Sequence, residues 1–249
     1  MTEPQPQCIR NVVVVMPAHN EERHIGKAIA ALKTATDALQ RKHPDITASI
    51  CVVLDSCTDR TADITSANMA GDPRFSAVSV KLHSTGASRD YGIRAAMDRL
   101  PPAGATSLWV ATTDADSTVP EHWLVRQVEL ADAGADAILG SVEPDPDDVD
   151  PAILRRWLEL HPFREDHPHI YGANLGIRAS AYVAAGGFPR LRAHEDRLLV
   201  ERVRRHGFVV TATDTTRVVT SGRMQARAPE GFAAYLRALG SELPAVAGG

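Results

Sequence analysis

The stretch Leu108-Trp109-Val110-Ala111-Thr112-Thr113-Asp114-Ala115-Asp116-Ser117 decides how the chain is read. Its apolar first four residues predict a buried strand. The strand delivers two carboxylates, one residue apart, to its C-terminal end. In an open α/β sheet that end is where ligands bind. Two close carboxylates repel, and burying both without a cation is costly. A divalent cation removes the conflict, and Mg²⁺ commonly takes one or two carboxylates plus substrate phosphates. The same residues also suit a polar turn in which Asp or Ser caps a helix near Glu121. What else reaches this edge of the sheet has to separate the two.

Upstream, Val12-Val13-Val14-Val15-Met16 is β-branched and apolar, the pattern of a central strand with both faces buried. It runs into Pro17-Ala18-His19-Asn20-Glu21-Glu22, where Asn20 suits a helix N-cap and the two Glu suit the helix's positive end. Ile25, Ile29 and Leu32 follow at helical spacing. A second strand over 48–54 ends in Asp55-Ser56-Cys57-Thr58-Asp59-Arg60-Thr61, with Asp59 placed to cap a helix carrying Ile64. A third strand covers about 77–82. Gly86 opens a loop, and Ile93, Met97 and Leu100 mark a helix that Pro101-Pro102 ends. After the opening stretch, Leu124, Val128 and Ala131 make a helix that Gly134 stops, and 137–142 is a fifth strand. Strands alternating with helices predict a mostly parallel, Rossmann-like α/β sheet with helices on both faces.

The alternation then breaks. Residues 143–148 are acidic and proline-rich, and a short helix carries Ile153, Leu154, Trp157 and Leu158. His161, His167 and His169 lie in a segment with two prolines and no helical spacing, so a surface loop is expected in preference to zinc. Gly172-Ala173-Asn174-Leu175-Gly176-Ile177 reads as a strand and Gly186-Gly187-Phe188-Pro189 as a turn. A helix follows over 195–206, then short strands at 209–211 and 218–220, and a last helix with Phe232, Tyr235, Leu236 and Leu239. No repeat or clean linker divides the chain. The expected organisation is a tail over 1–10, one domain over 11–240, and a flexible tail over 241–249. Within the domain, 11–118 forms one half and 119–240 the other.

A net charge of −4 over 249 residues argues against a general nucleic-acid binder, which would carry a basic face. Three cysteines, Cys8, Cys51 and Cys57, are an odd count without metal-ligand pairing, which fits a reducing cytoplasm. The first residues are no signal peptide, and no window approaches the roughly 20 apolar residues that span a bilayer.

Four successive strand ends therefore carry polar clusters: 17–21, 55–59, 86–92 and 114–116. In a doubly wound sheet all four fall on one edge. Their order resembles the family 2 glycosyltransferases, with the fold called GT-A, over most of the chain. The carriers are Val15-Met16-Pro17-Ala18-His19-Asn20-Glu21-Glu22, Asp55 to Thr61, Asp114-Ala115-Asp116, Gly172-Ala173-Asn174 with Gly186-Gly187-Phe188, and Glu195-Asp196. The resemblance implies a hexosyltransferase-type reaction from a UDP- or GDP-linked sugar, aided by Mn²⁺ or Mg²⁺. It gives Asp116 to the metal and Asp114 to the ribose or the metal. Asp55 would accept the N–H of the base, and Pro17, Ala18 and Glu21 would line the nucleotide pocket. Arg89 would contact base or phosphates, or else be an exposed arginine at a helix start. Gly172, Ala173, Asn174 and Glu195 resemble the sugar and acceptor site, and Asp196 the base that takes the acceptor proton.

The family's late histidine ligand is missing. Val219-Thr220-Ser221-Gly222-Arg223 stands near its place. One of His161, His167 or His169 would substitute, or Arg223 and Arg227 would neutralise the diphosphate. Without a membrane span the expected acceptor is a soluble small molecule. Two other readings compete: a nucleotidyltransferase, and a non-catalytic nucleotide-sugar-binding module. The first wants a glycine-rich basic loop after the first strand, where this chain has Ala18-His19-Asn20-Glu21. The second has no need of Asp196.

Overall fold

The run Val12–Val15 becomes the middle of strand β1 (Asn11–Ala18). Val12, Val14 and Met16 face one apolar core while Val13 and Val15 face another, as a two-residue period dictates. The computed structural model describes residues 8–99, 104–191, 194–223 and 232–242. In these, seven further strands join β1: β2 (Thr47–Asp55), β3 (Phe75–Val80), β4 (Leu108–Thr112), β5 (Ser117–Thr118), β6 (Ala137–Pro144), β7 (Leu175–Arg178) and β8 (Val210–Thr220). They form one sheet in the order β3-β2-β1-β4-β7-β6-β8-β5.

Parallel pairing joins β1 to both β2 and β4, β2 to β3, and β6 to β8. Strand β7 runs antiparallel to β4 and β6, and β5 antiparallel to β8. The sheet is therefore mostly parallel. The chain leaves β1 toward β2 and β3, then returns to lay β4 on the other side of β1. The loops after β1 and β4 thus part at a switch point, which opens a crevice there.

Helices α1 (Ile25–Lys42), α2 (Thr61–Met69) and α4 (Trp123–Asp132) cover one face. Helices α3 (Thr85–Met97), α6 (Ala179–Ala184) and α7 (Glu195–Arg205) cover the other. Trp109 and Trp123 are fully buried in the first core and Tyr182 in the second. Each side chain of that size contributes about 1.5–3 kcal/mol through burial. Helix α3 lies hard against the strands: a Cβ on Gly92 would come within 2.6 Å of a Val15 methyl and 2.8 Å of a Val53 methyl. A third, smaller core joins α5 (Pro151–Leu160) to α8 (Phe232–Glu242) through Ile153, Trp157, Leu236 and Leu239.

Several local expectations change. Asn20 does not cap α1, which starts at Ile25. Its backbone is left-handed, at φ 54°, and this turns its side chain onto the next loop. Gly86 lies inside α3, because Ser84 caps that helix by accepting the Ala87 N–H. Residues 172–174 form a single 3-10 turn before β7. The two short late strands are one, β8, whose register with β6 shifts between Gly140 and Val142. Of the N-terminal tail, residues 1–7 lie outside the described residues, while Ile9 is buried and its N–H donates to Asp132 Oδ1 at 2.8 Å. Leu100 and Pro101-Pro102 also lie outside, as does 243–249.

Candidate active site

The four polar clusters do meet at one edge, tied by hydrogen bonds between loops. Asn20 Oδ1 accepts from the N–H of Thr58 at 2.7 Å and of Asp59 at 3.3 Å. Asp59 Oδ1 accepts from the N–H and hydroxyl of Thr61 at 2.9 and 2.5 Å, but Asp59 stands one residue before Arg60, which takes the N-cap of α2 without a side-chain cap bond. The Glu21 N–H donates to Thr61 Oγ1 at 2.6 Å. Pro17 and Ala18 end β1 beside this network and are buried.

Asp55 closes the next gap. Its Oδ1 accepts from the N–H groups of Leu82 and His83, at 2.8 and 3.0 Å, and from Ser56 Oγ at 3.0 Å. Its Oδ2 accepts from the Ser84 N–H at 3.0 Å and Ser88 Oγ at 2.9 Å. Burial alone would raise this carboxyl, but the N–H groups of His83, Leu82 and Ser84 and the Ser88 hydroxyl hold it below its ordinary range. A carboxylate offers about four lone-pair sites. Five donors already point at these two oxygens, which ties the expected partner of the base N–H into the protein's own loop. Asp55 fixes the loop between β3 and α3.

The opposite side of the crevice is built on two arginines. Arg89 is 3% exposed, inside α3, so it is no exposed helix-start residue. It pairs with Asp114 Oδ1 at 2.5 Å and Glu195 Oε1 at 2.9 Å. The Phe188 ring lies 5.8 Å from its guanidinium. A Cβ on Gly172 would come within 2.5 Å of Arg89 Nη1, so that position needs glycine. Burial would lower the Arg89 pKa, but Asp114, Glu195 and Asp196 raise it above its ordinary value, so it stays charged.

Arg223 is the second bridge. It takes Glu21 bidentately, at 2.8 and 2.9 Å, and reaches Asp116 Oδ2 at 2.7 Å. Asp116 is pushed up to about 6, first by burial and then by Asp114 and Glu21, with Arg223 and His24 opposing. Five carboxylates (Glu21, Asp114, Asp116, Glu195 and Asp196) thus share this edge with two arginines. Among the described residues no group of three His, Cys, Asp or Glu side chains comes together as a complete metal-ligand set. A cation held by Asp116, with Asp114 beside it and phosphate oxygens completing the shell, fits this excess of buried negative charge.

Asp196 lies in the first turn of α7. Its Oδ2 accepts the Gly172 N–H at 2.9 Å and its Oδ1 the Arg197 N–H at 2.7 Å. Gly172 is fixed in turn by its carbonyl, which accepts from Thr112 Oγ1 at 2.7 Å. Ala173 is buried. Asn174 does not serve the ligand side. Its Nδ2 donates to the carbonyls of Ser141 and Thr216, at 2.8 and 2.7 Å, and its Oδ1 accepts from Trp123 Nε1 at 2.9 Å. The amide is spent inside the core, where it rivets β6 to β8 and α4.

The histidine segment also departs from expectation. His167 is buried, and with His161 and His169 it lines a small cavity beside Trp157 and Tyr171. Among the described residues these histidines join no cluster of three metal-ligating side chains. Arg227 lies outside the described residues.

Residues that sequence reasoning missed include Thr61, Asn20 in its stapling role, and the pairing of Glu21 with Arg223, 202 positions apart. No local pattern signals a contact of that range.

The sequence profile described as Glycosyl transferase family 2 matches residues 13–185. No curated protein matches the chain. Among solved structures, residues 1–349 of TarS from S. aureus superpose with a TM-score of 0.60 at 14% identity, over 94% of this chain and 65% of that one. The mannosyltransferase PcManGT from Pyrobaculum calidifontis, in complex with GDP-Man and Mn²⁺, gives 0.57 at 19% identity, over 95% and 63%. Glucosyl-3-phosphoglycerate synthase from Mycobacterium tuberculosis, in complex with Mn²⁺, UDP and phosphoglyceric acid, gives 0.53 at 16% identity, over 86% and 72%. This chain spans less than two thirds of the first and second of these. At such identities the likeness is one of fold.

Proposed function

Since the chain belongs to glycosyl transferase family 2, we propose that it moves a sugar from a nucleoside diphosphate donor to a hydroxyl of a small-molecule acceptor, with Mn²⁺ or Mg²⁺ at Asp116 and Asp114. The observation that carries this reading is the meeting of Asp116–Arg223–Glu21 and Asp114–Arg89–Glu195 with Asp196, all at the crevice edge of one sheet. The named complexes of similar fold, with GDP-Man and Mn²⁺ or with UDP and Mn²⁺, support a nucleotide-linked donor. No helix among the described residues is long and apolar enough to cross a membrane.

Pro17, Ala18 and Glu21 line the donor side. Asp55 holds the loop of residues 82–84 as one wall of that side. Arg223 leaves part of its present pairing to contact the diphosphate, to which a guanidinium is suited by its fork of donors. A divalent cation bound here would supply electrostatic stabilisation to the departing diphosphate. Arg89 holds Asp114 and Glu195 in fixed positions and keeps their charges apart. Asp196, oriented by the Gly172 N–H, accepts the proton of the acceptor hydroxyl at its Oδ1 or Oδ2.

The test is a thermal-shift panel of nucleoside diphosphates and nucleotide sugars, with and without Mn²⁺. A true donor at about 100 times its Kd should add roughly 2.7 kcal/mol of stability. Flat melting temperatures across UDP-, GDP-, ADP-, CMP- and dTDP-linked sugars, with either metal, would contradict the reading.

A further inference from the structure

Beyond the turn that orients Asp196, a row of rings leads away from the reacting edge. Tyr171 directly precedes Gly172. The His169 ring lies 5.9 Å from Tyr171, near parallel at 26°, and 4.6 Å from His161. The Tyr235 ring of α8 meets His161 edge-on at 5.4 Å. Beneath, Trp157 stacks on His161 at 4.4 Å and 9°, so the row has a rigid floor. Tyr235 is 39% exposed, and His161, His169 and Tyr171 are half-buried, so the row reaches solvent along its length.

A second observation points to a ligand. His167 is 3% exposed and feels the charge of Asp214, yet neither of its ring nitrogens has a hydrogen-bond partner among the described residues. It lines a cavity of about 10 Å³ together with His161, His169 and Tyr171, room for about one water or hydroxyl. A neutral imidazole offers one donor and one acceptor, which is what one hydroxyl needs.

We propose, building on the glycosyltransferase reading, that this row and the His167 cavity form the acceptor subsite, and that the acceptor is an uncharged sugar that packs its C–H groups against the rings and places one hydroxyl in the cavity. The electrostatics favour a neutral acceptor. Burial, with His161, His167 and Arg164 nearby, lowers His169 to about 4, and burial also lowers His161. Both are neutral at pH 7. Burial pushes the Tyr171 hydroxyl up, so it too stays uncharged. At the reacting end stand the carboxylates of Glu195 and Asp196, while the guanidinium of Arg89 is already shared between Glu195 and Asp114. An anionic acceptor would meet repulsion there.

Saturation-transfer NMR with methyl hexopyranosides tests this without a known donor, with UDP or GDP and Mg²⁺ present and absent. The parent should transfer saturation to at least one methyl pyranoside. A variant combining His169→Ala with Tyr235→Ala should weaken that binding at least tenfold, and Tyr235→Phe should retain it. Sugar phosphates and 3-phosphoglycerate should bind at least tenfold more weakly than the neutral sugar. Absence of saturation for every methyl pyranoside, equal binding by the double variant, or preference for the phosphorylated compounds would overturn the proposal. Donor hydrolysis on the same samples keeps the two readings apart. Hydrolysis without glycoside binding contradicts the subsite alone, and glycoside binding without turnover of any nucleotide sugar contradicts the transferase reading alone.

Discussion

Asp55 and Asp116 stand at the same sheet edge, after β2 and after β4, and their surroundings differ in kind. Asp55 is enclosed by neutral donors from the 82–84 loop, Ser56 and Ser88 of α3, and all five contacts are hydrogen bonds that a ligand would have to break at a loss. Among the described residues Asp116 has one close side-chain partner, Arg223, which it shares with Glu21. Its contacts to the Ser117 and Thr220 hydroxyls are long, at 3.4 Å each. The difference teaches where the chain is finished and where it is open to exchange. A carboxylate saturated by backbone N–H groups builds the site. A carboxylate balanced by an arginine can trade that cation for a ligand's. Asn174 belongs with Asp55 on this criterion, and Asp114, Glu195 and Glu21 belong with Asp116.

Substitution can break this division, and the largest effect is expected at Asp116. Asp116→Asn removes the charge that holds a cation, so Mn²⁺ should no longer raise donor affinity and turnover should fall about 10²–10³-fold, the scale of one lost electrostatic contact to a transition state. The fold should keep its stability, since a buried carboxylate pushed up to about 6 is lost with it. Unchanged Mn²⁺ dependence of donor binding, measured by calorimetry, would move Asp116 to the structural side.

Asn174→Ala should show the reverse. It strands Trp123 Nε1 and the carbonyls of Ser141 and Thr216 in the core. Each orphaned group costs about 1–3 kcal/mol, so urea unfolding should show a total loss of about 3 kcal/mol. A variant of parental stability that fails only in acceptor or sugar binding would return Asn174 to the site.

The smallest of these effects is at Asp55. Asp55→Asn should cost about 2 kcal/mol at pH 7, because an amide nitrogen would face N–H and O–H donors. The pH dependence sharpens the point. Asp55 has a lowered pKa when folded. Its contribution is therefore fully present above the unfolded carboxylate value, about 3.9, and is lost as pH falls through the lower folded value. The gap between parent and variant should be constant from pH 7 to 5 and close below about pH 4. A gap that persists at pH 2 would show that the carboxylate's charge is not what these donors recognise.

The same criterion explains what the sequence made legible. Strands β1 to β4 follow from β-branched or apolar runs, and their order of polar ends follows from the alternation with helices. Strand β8 was expected in two pieces because Thr213, Asp214 and Thr215 interrupt its apolar pattern. The structure absorbs them in an irregular stretch where Asp214 binds Arg217 and the Ser141 hydroxyl. Asp114, Asp116 and Asp196 could be singled out because their neighbours in sequence carry the signal. The saturation of Asp55 could not, since it depends on three N–H groups 27–29 residues away. Nor could the burial of His167, whose flanking prolines and charges suggest solvent.

The central claim is that Asp196 acts in the chemical step while the arginine-bridged carboxylates attend to donor and cation. Asp196→Asn keeps the shape and one oxygen for the Gly172 N–H, gives up the acceptor of the Arg197 N–H, and cannot take a proton at neutral pH. The direct measurement is a transfer assay, or donor hydrolysis where no acceptor is in hand, beside calorimetric donor binding for this one variant. General-base catalysis contributes about 10²–10⁴-fold. The account predicts a loss of that size in kcat with a donor Kd within about threefold of the parent, or under 1 kcal/mol. A variant that keeps its rate, or that fails because donor no longer binds, would contradict it.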